Sequence, residues 1–233
     1  MDEKSVELFY EIIGYVQAYT NYLVLLLFVL KPKKIFALPF SFFFINAALS
    51  VVFDTIALVF HENDSWKPYL SFLNPLYAVN NICFIGLFLG FYIPSSSRVS
   101  FKTMIAILSI VALAIYHFNG YETWAVYGSA FQSVVMISLL CIGLRYIYAR
   151  PKINNHQRSA LYIVLGLLFA FSLSFLINLL LKSMIETDLR YSLLFYGIKN
   201  IFWVISNLLS AYAVYQLRPT PKPVLSSLFR GQS

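Results

Sequence analysis

Uninterrupted apolar stretches decide the fold of this chain, and the clearest is SALYIVLGLLFAFSLSFLINLLLK at residues 159–182. It carries no charged residue before its final lysine. A bilayer hydrocarbon core about 30 Å thick is crossed by about 20 apolar residues in a helix. Lipid offers the backbone no hydrogen-bond partners, so a stretch of this length predicts a helix and not an open strand. We therefore expect residues 159–182 to span a membrane.

Six further stretches have the same character. With the first, they predict seven spans, at residues 8–30, 35–60, 70–93, 101–118, 124–146, 159–182 and 191–217. Short polar breaks separate them, and residues 218–233 form a short tail. The predicted fold is an all-α polytopic membrane protein, a seven-transmembrane-helix bundle, with residues 1–217 as its transmembrane domain.

Composition points to the same class. Of 233 residues, 60% are hydrophobic and 12% are charged, and the mean hydropathy is +0.73. Globular domains carry about 25% charged residues. These values exclude a soluble domain, a disordered chain and a disulfide-rich secreted module. Cys83 and Cys141 both lie inside apolar spans and imply no disulfide framework.

Basic residues are concentrated on one side of the predicted membrane. The loops after spans one, three and five, with the tail, hold no acidic residue and these basic ones: Lys31, Lys33, Lys34, Arg98, Lys102, Arg145, Arg150, Lys152, Arg158, Arg218, Lys222 and Arg230. The positive-inside rule then predicts an outside N-terminus and a cytoplasmic C-terminus. This distribution, and not a nucleic-acid partner, accounts for the net charge of +7.

Three charged residues fall inside spans, and such residues are functional-site candidates. They are Glu11, Asp54 and Lys199. At 1.5 Å per residue, Asp54 and Lys199 are expected about 9 Å and about 12 Å below the outer ends of their spans. Similar depth would make them partners.

Uncharged polar residues also gather in the outer halves, and residues three or four apart share a helix face. Four polar stripes result: Asn46, Ser50 and Asp54; Asn74, Tyr77 and Asn81; Tyr196, Asn200, Trp203, Asn207 and Ser210; and Glu11, Tyr15, Ala18 and Tyr22. We predict an outward-facing polar cavity with these ligand-binding candidates: Asp54, Lys199, Gln132, Asn80, Asn81, Asn200, Asn178, Glu11 and Trp203. The alternative is that these side chains only join helices through hydrogen bonds.

Two segments recur at an offset of 119 residues. YAVNNICF at 77–84 is similar to YGIKNIFW at 196–203, and KPK at 31–33 to RPK at 150–152. A parallel three-plus-one-plus-three duplication would produce this pattern.

Catalytic and cofactor motifs are absent from the sequence. It contains no GxxxxGK[ST], GxGxxG, HExxH or GxSxG. His61, His117 and His156 fall on both sides of the predicted membrane, so they cannot form one metal site. Retinal on Lys199 is disfavoured, because the third span has Asn80 and Asn81 where retinal proteins carry carboxylates. We expect no enzyme activity, no metal and no cofactor.

The third and last spans also support a resemblance. Leu73-Asn74-Pro75-Leu76-Tyr77, and Ile198-Lys199-Asn200-Ile201 followed by Asn207, are similar to sequences of small uncharacterised seven-transmembrane-helix proteins of Bacteroidota-type bacteria. The likeness covers most of the chain through diffuse patterns. It implies a multi-pass protein of a bacterial inner membrane and carries no activity over.

Three functions remain open at this point. The first is a receptor-like or sensor-like protein that binds a small ligand from outside and signals to a separate partner at the basic cytoplasmic face. The second is a small-solute transporter built on the three-plus-one-plus-three repeat. Transport needs polar lining on both sides, and the inner halves are mostly Leu, Ile, Val and Phe, so we rank it second. The third is a structural subunit of a membrane complex.

Overall fold

Seven helices make up the computed structural model, which describes residues 3–30, 38–61, 72–123, 128–149, 153–187 and 189–217. They are α1 (Glu3–Leu30), α2 (Leu38–His61), α3 (Leu73–Gly90), α4 (Ser95–Thr123), α5 (Ser129–Tyr148), α6 (Asn155–Thr187) and α7 (Leu189–Gln216). Each is long and apolar enough to cross a membrane, and the described residues contain no strand. The predicted all-α seven-helix membrane bundle is confirmed.

Helix ends differ from the predicted span ends where polar residues continue a helix. α4 begins at Ser95 and α6 at Asn155, several residues before the apolar stretches at 101 and 159. At the start of α6, the Gln157 backbone N–H donates to the Asn154 side-chain oxygen at 2.8 Å, and the Asn154 backbone N–H donates to the Gln157 side-chain oxygen at 2.9 Å. This reciprocal cap fixes the helix start. The predicted tail, residues 218–233, lies outside the described residues.

Six helices form a closed ring, and α4 lies outside it. Neighbours in the ring are α1, α2, α3, α5, α6 and α7, with α7 returning to α1; α4 packs mainly against α3 and also contacts α5. Ring neighbours other than the α1–α7 and α3–α5 pairs run antiparallel. The end at which α1, α3, α5 and α7 begin is called the upper end below.

Helices α1 and α7 run parallel, and their contacts fix their register. The rings of Tyr10 and Tyr196 lie 6.4 Å apart, and Asn207 donates to the Thr20 hydroxyl at 3.1 Å. The two contacts join residues that are 186 and 187 positions apart in the sequence. A residue of α7 is therefore level with the α1 residue about 187 positions earlier.

An apolar core fills the lower end of the bundle. Its centre is an aromatic cluster formed by Phe28, Phe40, Phe43, Phe88 and Tyr92 from α1, α2 and α3. Neighbouring rings lie 5.6–6.2 Å apart, from the Phe40–Phe88 to the Phe28–Phe43 pair. Phe28, Phe40 and Phe88 are fully buried, at 0% exposure. Aromatic edges and faces in this range of separations attract one another beyond their burial.

Small residues allow α6 and α7 to approach closely. A Cβ added at Gly166 would lie 3.2 Å from the Cα of Ser206 and 3.3 Å from its carbonyl oxygen. Membrane helices associate through such backbone contacts, because lipid supplies no hydrophobic drive between them. Gly166 therefore sets the spacing of this helix pair.

Helix α3 contains a wide π-helical turn at Asn81–Ile85, between α-helical segments Leu73–Asn80 and Gly86–Gly90. Such turns are rare and occur frequently at functional sites. This one starts at the polar Asn81 and ends one turn above the aromatic cluster. It therefore separates the polar and apolar parts of α3.

Candidate functional site

A partly open cavity of about 710 Å³ occupies the bundle above the aromatic cluster. All six ring helices line it, and α4 contributes no lining residue. Small-molecule sites have volumes of about 300–1,000 Å³. The lining is mainly amide, hydroxyl and aromatic side chains with one carboxylate and one ammonium, and Phe43 of the aromatic cluster contributes to the lower wall.

Asp54 is held by donors from two neighbouring helices. The Asn21 side-chain amide of α1 donates to Asp54 Oδ2 at 2.7 Å, and the Tyr77 hydroxyl of α3 donates to Oδ1. Charge-assisted bonds of this type are about twice as strong as neutral ones. One turn of α2 presents Asp54 and Ser50 to the cavity, so the carboxylate is half-buried and accessible from it.

A network of amides lies below Asp54. Asn46 of α2 donates to the Asn81 side-chain oxygen at 3.1 Å, and Asn80 donates to the Asn46 carbonyl and the Ser50 hydroxyl, both at 3.2 Å. Asn46, Ser50 and Asn81 line the cavity, whereas Asn80 is buried behind them. The network fixes α2 against α3 beside the π-helical turn.

Lys199 projects from α7 and lies over an aromatic ring. Its Nζ is 4.2 Å from the centroid of the Tyr196 ring, a cation–π geometry. Tyr196 packs in turn against Tyr10 of α1. Among the described residues, no carboxylate forms an ion pair with Lys199.

The direct pairing expected between Asp54 and Lys199 is therefore not formed. The register gives the reason. Asp54 is level with Asn21 of α1, through their hydrogen bond, whereas the α1–α7 offset places Lys199 level with about residue 12. Nine residues of helix correspond to about 13 Å along the axis. Lys199 lies nearer the upper end, and Asp54 lies deeper, because α1 and α7 begin well above the end of α2.

The α7 and α6 walls complete the cavity. Trp203 donates through Nε1 to the Ser174 hydroxyl at 3.1 Å and packs edge-on against Phe171. Gln132, Asn178 and Asn200 also line the cavity, from α5, α6 and α7 respectively.

Seven of the nine candidate residues share this cavity. They are Asp54, Asn81, Gln132, Asn178, Lys199, Asn200 and Trp203. Asn80 supports the wall from behind, and Glu11 is exposed and does not line the cavity.

The face of α1 that lines the cavity differs from the predicted one. The predicted stripe contained Glu11 and Tyr15, which are exposed. The face that lines the cavity carries Tyr10, Gln17 and Asn21. These residues are seven and four positions apart in the sequence, and this spacing indicates that they share one helix face.

The offset of 119 residues reappears in the cavity wall. Three pairs of lining residues are related by it: Tyr10 with Ser129, Tyr77 with Tyr196, and Asn81 with Asn200. Helices α1, α2 and α3 overlap α5, α6 and α7 at the same offset, and α4 is left over between them. The cavity therefore lies between two sets of three helices.

Within the described residues, no group of three or more His, Cys, Asp or Glu side chains could hold a metal ion. No protein family, no curated protein and no solved structure matches this chain.

Proposed function

We propose that this multi-pass membrane protein binds a small polar ligand in the cavity and acts as a receptor or sensor. The observation that carries the proposal is the convergence of polar side chains from six helices on one space of about 710 Å³. Polar side chains that only joined helices would be satisfied by one another. Here Asp54, Lys199 and Gln132 remain accessible from the same cavity.

We take the upper end of the bundle, where the cavity opens, to face the outside of the cell. Basic residues predict that the upper end is external and the lower end cytoplasmic. A ligand would then enter from outside and reach Asp54 of α2, which lies level with Asn21 of α1. This assignment agrees with the apolar aromatic cluster at the lower end, which gives solutes no polar path through the bundle.

A route for signalling runs along α2. Asp54 and Ser50 line the cavity, and Phe43 and Phe40 on the same helix belong to the aromatic cluster. A ligand that bound Asp54 and shifted α2 would repack that cluster, because densely packed side chains transmit small displacements. The basic lower end would present the change to a separate cytoplasmic or membrane partner.

A small-solute transporter is the second candidate, and the repeated pattern of lining residues favours it. In transporters with parallel repeats, the substrate site lies between the repeats. The π-helical turn of α3 lies next to the aromatic cluster, where a gate would have to open.

Binding is tested with purified protein and a panel of polar small molecules, using the thermal midpoint as the signal. Gln132→Trp places a bulky ring in the cavity, and Ser138→Trp places the same ring on the exposed face of the same helix. We expect a stabilising ligand whose effect is lost in Gln132→Trp and kept in Ser138→Trp. A panel without any stabilising compound, or equal effects in both variants, would favour the structural-subunit alternative.

A flux measurement distinguishes the receptor from the transporter. Protein in sealed liposomes is given the stabilising compound in labelled form. A receptor leaves the label outside, whereas a transporter accumulates it inside in a manner that Gln132→Trp abolishes.

A further inference from the structure

We propose that the cavity takes an elongated zwitterion, specifically a short linear peptide of three or four residues. Its ammonium group would lie at Asp54 and its carboxylate at Lys199. This inference rests on the ligand-binding function proposed above and names the ligand class for the same site.

The two charged side chains of the cavity, Asp54 and Lys199, have no ionic partner in the described part of the chain. Asp54 receives only neutral donors, from Asn21 and Tyr77, and Lys199 rests on the ring of Tyr196. A charge inside a membrane is costly unless it is paired or hydrated. One ligand with both a cationic and an anionic group would satisfy both sites.

The axial separation of the two residues indicates the length of the ligand. The register places the backbone of Lys199 about 13 Å above that of Asp54 along the helix axis. An extended chain spans about 3.3–3.6 Å per residue, so three or four residues cover about 10–14 Å. A free amino acid is too short to bring its two charges to both side chains at once.

Amide side chains occupy the level between the two charges. Gln17 of α1 and Asn200 and Asn207 of α7 all line this part of the cavity. An amide side chain both donates and accepts, which matches the alternating N–H and C=O groups of a peptide backbone. Such a site recognises the main chain and accepts varied side chains.

The experiment compares trialanine with two capped forms and with free alanine, by calorimetric titration of the purified protein. N-acetyl-trialanine lacks the ammonium group, and trialanine amide lacks the carboxylate. We expect trialanine to bind at least tenfold more tightly than either capped form and than alanine.

Variants then assign each group to its residue. Lys199→Met should weaken the binding of trialanine about tenfold. It should leave the binding of trialanine amide unchanged, because that probe has no carboxylate for Lys199 to contact. Asp54→Asn should weaken trialanine and leave N-acetyl-trialanine unchanged. Lys199→Arg should keep most of the binding, and Lys102→Met, at an exposed lysine of α4, should keep all of it. Gel filtration verifies that each variant is folded.

The outcomes distinguish this inference from the function on which it rests. Capped peptides that bind as well as trialanine, or variants that weaken all probes equally, overturn the peptide assignment. If trialanine fails to bind while another compound stabilises the protein in a Gln132-dependent way, the ligand class is wrong and the cavity still functions. If no compound of any class binds, both proposals fail.

Discussion

Asn21 of α1 donates a 2.7 Å hydrogen bond to the carboxylate of Asp54 on α2. The second oxygen of that carboxylate accepts from Tyr77 of α3, so one side chain joins three helices. Asp54 thus holds these three helices together, and the proposed function also gives it a role in ligand binding.

Tyr77→Phe should destabilise the protein by about 1–2 kcal/mol, because it removes a hydrogen bond to a carboxylate. Tyr19→Phe is the matched control, since the Tyr19 side chain is exposed and the change should stay within about 0.5 kcal/mol. Unfolding in mixed micelles would measure the change in unfolding free energy for both variants. Equal values for the two variants would show that the Tyr77 bond contributes nothing.

Asp54→Asn and Lys199→Met should have additive effects on the unfolding free energy when no ligand is present. Their side chains share no partner, and separated sites add to within about 0.3–0.5 kcal/mol. A double-mutant cycle on the purified protein measures the coupling. A coupling energy above about 1 kcal/mol would contradict this prediction and indicate a direct ion pair between Asp54 and Lys199.

Gly166→Ala should destabilise by about 1–3 kcal/mol, because the new methyl group meets the backbone of Ser206, which cannot rotate away. Gly14→Ala is the control, since a Cβ there meets nothing within 4 Å. Thermal unfolding in nanodiscs compares the two. A tolerated Gly166→Ala would show that α6 and α7 can separate at little cost.

Membrane orientation is testable with single cysteines and a membrane-impermeant maleimide on intact cells. Glu7→Cys should be labelled, and Ser233→Cys should be labelled only after permeabilisation. The parent chain, with Cys83 and Cys141 alone, gives the background. The opposite labelling pattern would invert the topology and place the cavity on the cytoplasmic side.

Hydropathy was sufficient to predict the seven helices, because apolar length is a property of each segment by itself. Polar residue type was sufficient to select most of the cavity wall, including Gln132 and Asn178. The face of α1 was mistaken because polar and aromatic residues lie on more than one side of it. The depth of Lys199 relative to Asp54 depends on how far each helix extends beyond its neighbours, and that stagger is set by tertiary packing.

The aromatic cluster also determines where the membrane's electric field falls. A polar cavity that fills with water conducts, so little potential drops along it, and most of the drop occurs across the thinner apolar layer beneath. A full crossing of 100 mV changes the energy of one charge by about 2.3 kcal/mol. A charge bound at Asp54 would experience a small part of this energy change. A charge that passed Phe28, Phe40 and Phe88 would experience most of this energy change. Binding should then be nearly independent of voltage, and any passage through the bundle should depend on it steeply.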